Sequence, residues 1–238
     1  MAARSWGMVG AMARMLSQAG VSPNLVSAAS MVCAVAGGIL FVATAPAHDD
    51  HPAAARLLFL AGAGLVLLRG LCNVLDGMVA IARGVASPVG ELWNEVPDRV
   101  SDCAMLIGLG YAVGGSPTLG WLAALLAVLT AYVRAQCRAA GAPQDFGGPM
   151  AKPTRLGLVA ACGGAMALLP WSWTLGWWGA ATAGLSGPAR GVPDSAAAGL
   201  PAAMLLLIAM GSLLTAWRRL ARAARQLAGR PPVPGNRA

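Results

Sequence analysis

Long apolar runs, separated by short polar breaks, dominate the chain. A helix needs about 20 apolar residues to cross the hydrocarbon core of a bilayer. The runs predict six membrane helices, over 25–45, 57–82, 89–113, 119–140, 155–179 and 198–217. The connections 46–56, 113–118 and 180–197 hold turn-forming glycine and proline and few basic residues. Residues 141–153, GAPQDFGGPMAKP, are predicted as a polar, glycine-rich loop. Residues 4–19 place Met8, Met12 and Met15 on one helical face with Trp6 nearby. That pattern suits an amphipathic helix on the membrane surface, and equally a frayed polar start. The expected fold is all-α: a polytopic membrane protein of six transmembrane helices with an N-terminal amphipathic surface helix. Its expected parts are a juxtamembrane helix over 1–22, a six-helix membrane domain over 23–220 and a basic, disordered tail over 221–238.

Two of the six spans break the apolar pattern. The second is apolar only from Leu57 to Leu68, roughly 18 Å of helix. Beyond it Arg69, Asn73, Asp76, Ala80 and Arg83 fall within about 80° of one another. In the third, Glu91, Glu95, Asp98 and Asp102 fall within about 60° on one face, with Asn94 at its edge. Two neighbouring helices thus offer acidic and amide groups to each other at one depth. Ionised groups there cost several kcal/mol unless hydrated, paired or metal-bound, so a cavity open to one side is expected.

Composition agrees with a membrane protein, at 57% hydrophobic and 11% charged residues. Soluble domains carry about 25% charged residues. The net charge of +8 comes from arginine, Lys152 being the only lysine. If six helices alternate, Arg4, Arg14, Arg83, Arg134, Arg138, Lys152, Arg155 and the C-terminal arginines share one side, with Arg56 and Arg190 opposite. The positive-inside rule then makes both termini cytoplasmic and accounts for the charge without nucleic acid. Trp171, Trp173, Trp177 and Trp178 would band the outer interface, and Trp217 would mark the inner one. The Arg-, Ala- and Gly-rich usage suggests a bacterial inner membrane. The five cysteines form no CxxC pair and read as buried small hydrophobes. No cleavable leader is expected.

Two readings of the polar cluster compete. One is a set of intramembrane salt bridges, Arg69 with Asp76 and Arg99 with Asp102 or Glu95. The other is a hard divalent cation, Mg²⁺ or Mn²⁺, since carboxylates outnumber cations along these two helices. Gly77 and Gly90 would let a bulky ligand approach the backbone, or let helices pack closely. HDDH at 48–51 resembles a metal motif but is expected to be a solvated outer loop.

The spacing of Asn73, Asp76, Gly77, Ala80, Ile81, Gly90, Asn94 and Asp98 resembles the signature of the CDP-alcohol phosphatidyltransferases. That signature is Asp-x2-Asp-Gly-x2-Ala-Arg-x8-Gly-x3-Asp-x3-Asp. Asn73 and Asn94 replace the first and third Asp, and Ile81 replaces the Arg. The chain is closer to a subgroup with Asn at those two positions. GVSPNLVS (20–27), AYVRAQCRAAG (131–141) and GPMAKPTRLGL (148–158) extend the likeness over about 20–160. The resemblance implies metal binding by Asp76, Asp98, Asn73 and Asn94, with Glu95 and Asp102 compensating for the amides. It implies nucleotide binding at Asp76, Gly77, Ala80 and Gly90, and Asp98 as the catalytic base. Arg134, Arg138, Lys152 and Arg155 would bind an acceptor phosphate, or be ordinary flanking charge. The implied reaction moves a phosphatidyl group from CDP-diacylglycerol to a small alcohol or phosphorylated alcohol and releases CMP. A homodimer in the lipid bilayer is implied too. A degenerate member that binds lipid or nucleotide without turnover, and an ion-coupled transporter, are the alternatives.

Overall fold

The computed structural model describes residues 6–85, 88–176 and 199–228. They form α1 (Trp6–Gln18), α2 (Pro23–Asp50), α3 (Pro52–Ala82), α4 (Pro88–Gly110), α5 (Pro117–Ala139), α6 (Lys152–Leu168), a π-helical turn (Ser172–Gly176) and α7 (Leu200–Ala228). There is no strand among the described residues. Proline in the first turn starts α2, α3, α5 and α6. Its fixed φ and missing N–H suit that position. Ser22 and Ser116 cap α2 and α5 by accepting from Leu25 N (3.2 Å) and Leu119 N (3.4 Å).

Four helices, α2, α3, α5 and α7, are long and apolar enough to cross a membrane. They turn Val32 and Ile39, Leu57 and Leu67, and Met210 outward, an exposure that water would penalise and lipid would not. The protein is a membrane protein. Two further helices, α4 and α6, occupy the remaining predicted spans without meeting that standard. Glu95, Asp98, Arg99 and Asp102 interrupt the apolarity of α4, and α6 has only 17 residues.

Helix ends depart from the predicted ones. The expected 46–56 loop is helical up to Asp50, and α3 restarts at Pro52, leaving His51 alone between them. HDDH is therefore a helix end, where the His48 ring meets Trp171 edge-on at 4.7 Å. The fifth predicted span stops at Leu168 instead of continuing to 179, because Leu169 turns extended ahead of Pro170. Arg56 closes that end, donating from Nη1 to Ala167 O (3.0 Å) and Leu169 O (2.9 Å) while lying 4.8 Å over the Trp171 ring. The last helix runs to Ala228, through 221–228 of the predicted tail. Trp177, Trp178 and the tail from Gly229 lie outside the described residues.

Phe41, Phe59, Val66, Leu106, Leu109, Met166, Leu205 and Ile208 are fully buried and make the main core. The backbones of α2 and α4 touch, since a Cβ on Gly108 would stand 2.6 Å from Gly38 Cα. Small residues allow such approach where lipid provides no hydrophobic drive between helices. A second cluster docks α1 on α3 through Val9, Ala13 and Leu16 against Leu75, Met78 and Val79. The predicted Met8 and Met15 face is left exposed.

Gly108→Leu should force α2 and α4 apart and lower stability by about 1–3 kcal/mol, read as a fall in Tm in detergent. Gly64→Ala, whose Cβ meets nothing within 4 Å, should not lower it.

Candidate active site

The polar faces of α3 and α4 meet, and α6 closes on them. Arg69 of α3 is fully buried. Its Nη2 donates to Asp102 Oδ1 of α4 at 2.9 Å and to Asp98 Oδ1 at 3.5 Å. Arg155 of α6 donates to the other Asp102 oxygen at 2.6 Å, and to Met150 O (2.9 Å) and Thr130 Oγ1 (3.4 Å). The predicted Arg69–Asp76 pair does not form. Seven helical residues separate them by roughly 10 Å along the axis. Asp76 instead accepts from Ser27 Oγ of α2 at 2.8 Å and from Gly77 N at 2.6 Å.

Asp98 is nearly buried, and Lys152 Nζ is ion-paired to its Oδ2. Arg99 binds Glu95 Oε2 at 2.8 Å and lies 4.0 Å from Asp98 Oδ2. Arg134 of α5 binds Glu95 Oε1 at 2.5 Å and lies 5.3 Å over the Phe146 ring. Asp98, Asp102 and Glu95 therefore meet Arg69, Arg99, Arg134, Lys152 and Arg155. With the buried Asp76, four carboxylates stand against these five cations, so among the described side chains the expected surplus of carboxylates is narrowly reversed. Two helices alone set that expectation, and α5 and α6 bring three more cations across.

This geometry bears on each predicted ligand. Asp102 and Glu95 have both carboxylate oxygens on arginines, and Asp98 has its own on Arg69 and Lys152. Among the described residues no three acidic, His or Cys side chains converge on one point. The signature set of Asn73, Asp76, Asn94 and Asp98 remains, with oxygen donors that suit Mg²⁺ or Mn²⁺. Asn94 Oδ1 is buried without a hydrogen-bond partner, which fits an oxygen awaiting a cation. The residues fit the metal. Gly77 faces open space, Ala80 lies next along α3, and Gly90 is one turn before Asn94. Of the predicted phosphate binders, Arg134, Lys152 and Arg155 hold carboxylates, and Arg138 is exposed in the last turn of α5.

Sequence reasoning missed the part played by α7. Arg219 is buried and donates to Gly147 O (3.1 Å), Thr130 O (3.1 Å) and Phe146 O (3.3 Å). Arg222 pairs with Asp145 at 2.6 Å, and Met150 N donates to Thr215 Oγ1 at 3.0 Å. These bonds strap the loop leading into Lys152 onto α7. Gly148, at φ +140°, lies against Thr215, where no side chain would fit. Arg219 stands in a run of arginines, and nothing in that run singles it out.

A model of the CDP-alcohol phosphatidyltransferase family matches residues 20–185. The chain belongs to this family. Its members are transferases of phospholipid biosynthesis. The chain is 35% identical over 106 residues to phosphatidylinositol phosphate synthase of Mycobacteroides abscessus, covering 42% of this chain and 48% of that one. It is 30% identical over 159 residues to the synthase of Mycobacterium marinum, covering 64% of this chain and 62% of that one. The matches thus span about half and about three fifths of those relatives. Crystal structures of the Mycobacterium tuberculosis synthase share the fold at 23% identity and a TM-score of 0.66. The complex with manganese and citrate is covered to 95%, with 96% of this chain, and that with CDP-DAG to 98%, with 94%.

In this family member, Asp102→Asn should leave the buried Arg155 without a carboxylate and Arg69 with only its 3.5 Å contact to Asp98. The expected cost is about 3–5 kcal/mol, measured by thermal unfolding in detergent. Asp145→Asn, at a partly exposed bridge, should cost about 1 kcal/mol or less.

Proposed function

We propose that the protein transfers a phosphatidyl group from CDP-diacylglycerol to an alcohol, with Mg²⁺ or Mn²⁺, in a bacterial inner membrane. In this reading it is a multi-pass homodimer with cytoplasmic termini and no nucleic-acid partner. The observation that carries the proposal is the buried, unpartnered Asn94 oxygen one helical turn before the buried Asp98 carboxylate. Family membership supports the same chemistry.

The acceptor hydroxyl oxygen forms a bond to the phosphorus that bears diacylglycerol. The bond from that phosphorus to the bridging oxygen breaks, and CMP leaves with that oxygen. The hydroxyl proton passes to Asp98. Arg69, donating to Asp98 Oδ1, positions the carboxylate that takes the proton. Asp76, Asp98, Asn73 and Asn94 would hold the cation, which would supply positive charge against the diphosphate. Gly77 leaves the nucleotide side of α3 open, with Ala80 and Gly90 beside it. Positioning and charge account for most catalysis in phosphoryl transfer.

The acceptor we favour is a phosphorylated polyol. Arg134 and Arg138 come from α5 and Lys152 and Arg155 from α6, and Arg155 Nε is buried without a partner. The mycobacterial relatives are phosphatidylinositol phosphate synthases, which supports the same class. One observation favours a second reading, a binder without turnover: Asp98 is held by two cations, and two signature carboxylates are amides.

CMP release by purified protein decides between them. The assay contains CDP-diacylglycerol, Mn²⁺ or Mg²⁺, and inositol phosphate, glycerol phosphate or their unphosphorylated counterparts. Metal-dependent release with one phosphorylated acceptor is expected, falling about 10²–10⁴-fold in Asp98→Asn. No release with any acceptor, from folded protein, would favour the binder.

A further inference from the structure

Lys152 lies at the first position of α6, where the helix dipole presents positive charge and disfavours a cation. Its pairing with Asp98 Oδ2 offsets that penalty. The Lys152 side chain is 30% exposed, whereas Arg69, which also pairs with Asp98, is 0% exposed and anchored on Asp102 at 2.9 Å. Arg99, 4.0 Å from Asp98 Oδ2, is anchored on Glu95 at 2.8 Å, so of the three cations Lys152 alone has no second carboxylate and sits on a flexible stem. One turn before Asp98, Asn94 Oδ1 is buried and unpartnered. A divalent ion held by Asn94 and Asp98 would compete with the Lys152 ammonium for the Asp98 carboxylate, since two cations repel there.

We propose that Lys152 is a counter-ion displaced by the metal. It neutralises Asp98 before the metal binds, and metal binding frees its partly exposed ammonium. The released ammonium then meets an anionic group on the acceptor. Metal binding and acceptor capture are coupled, and by linkage each strengthens the other. This inference rests on the metal-site reading above, and its test separates the two.

Mn²⁺ binding to the full-length chain in detergent is measured by calorimetry for wild type, Lys152→Met and Lys152→Arg. Lys152→Met should bind roughly tenfold more tightly, the scale of one partly buried ion pair. Lys152→Arg, which keeps a cation on Asp98, should stay near wild type. Equal or weaker binding by Lys152→Met overturns the displacement and leaves the metal site standing. Absence of binding in both proteins overturns both. A second readout needs no variant, because Lys152 is the only lysine. Mn²⁺ should raise its modification by an amine-directed reagent several-fold, read on the peptide that contains it. An unchanged rate overturns the proposal.

Discussion

Asp102 is the residue on which the arrangement of α3, α4 and α6 depends. It is buried, and each of its oxygens holds a buried guanidinium, Arg69 from α3 and Arg155 from α6. An unpaired charge at such depth costs several kcal/mol, so these helices have little freedom to slide or rotate. The consequences reach outward. With Arg155 fixed, its second contact fixes the Met150 carbonyl, and so the approach of the loop to α6. With Arg69 fixed, its remaining reach sets the orientation of the Asp98 carboxylate. The proposed base is thus aimed by a neighbour whose own position is set one turn further on.

The two ends of the bundle are held by different physics. Away from the site, α2 and α4 meet through Gly38 and Gly108, and the core is aliphatic and aromatic. Packing alone suffices there, because lipid and side chain are equally apolar. At the site end the same helices carry charges, and order comes from ion pairs and carbonyl contacts. Arg219 serves that end from α7, satisfying three carbonyls across α5 and the 141–151 loop. A loop rich in glycine would otherwise hold Lys152 loosely.

Much of this was legible in the chain, and the limits have physical causes. Apolar runs located every long helix, because burial in lipid demands them. Helix ends were less legible. Residues 46–56 look like a loop by composition, yet proline at a helix start permits a junction of one residue, His51. Helical periodicity placed Arg69, Asp76, Asp98 and Asp102 on inward faces, and all four are buried. Periodicity could not choose their partners. Arg134, Lys152 and Arg155 come from helices whose register against α4 no local spacing encodes. A charge count over α3 and α4 alone therefore had the wrong sign.

That sign changes what Asn73 and Asn94 mean. Judged only against the family signature, two amides in place of carboxylates look like a loss of metal affinity. Among five side-chain cations, the comparison is different. Carboxylates at 73 and 94 would attract the same arginines and lysine, and ion pairs would then fill the site. An amide keeps an oxygen donor for a hard cation, yet offers no charge for an arginine to neutralise. The unpartnered Asn94 Oδ1 is what such a residue should look like among surplus guanidinium groups. On the proposed reading, Asn94 keeps a donor atom open where a carboxylate would have drawn a cation, leaving Asp98 as the carboxylate for which lysine and metal would compete.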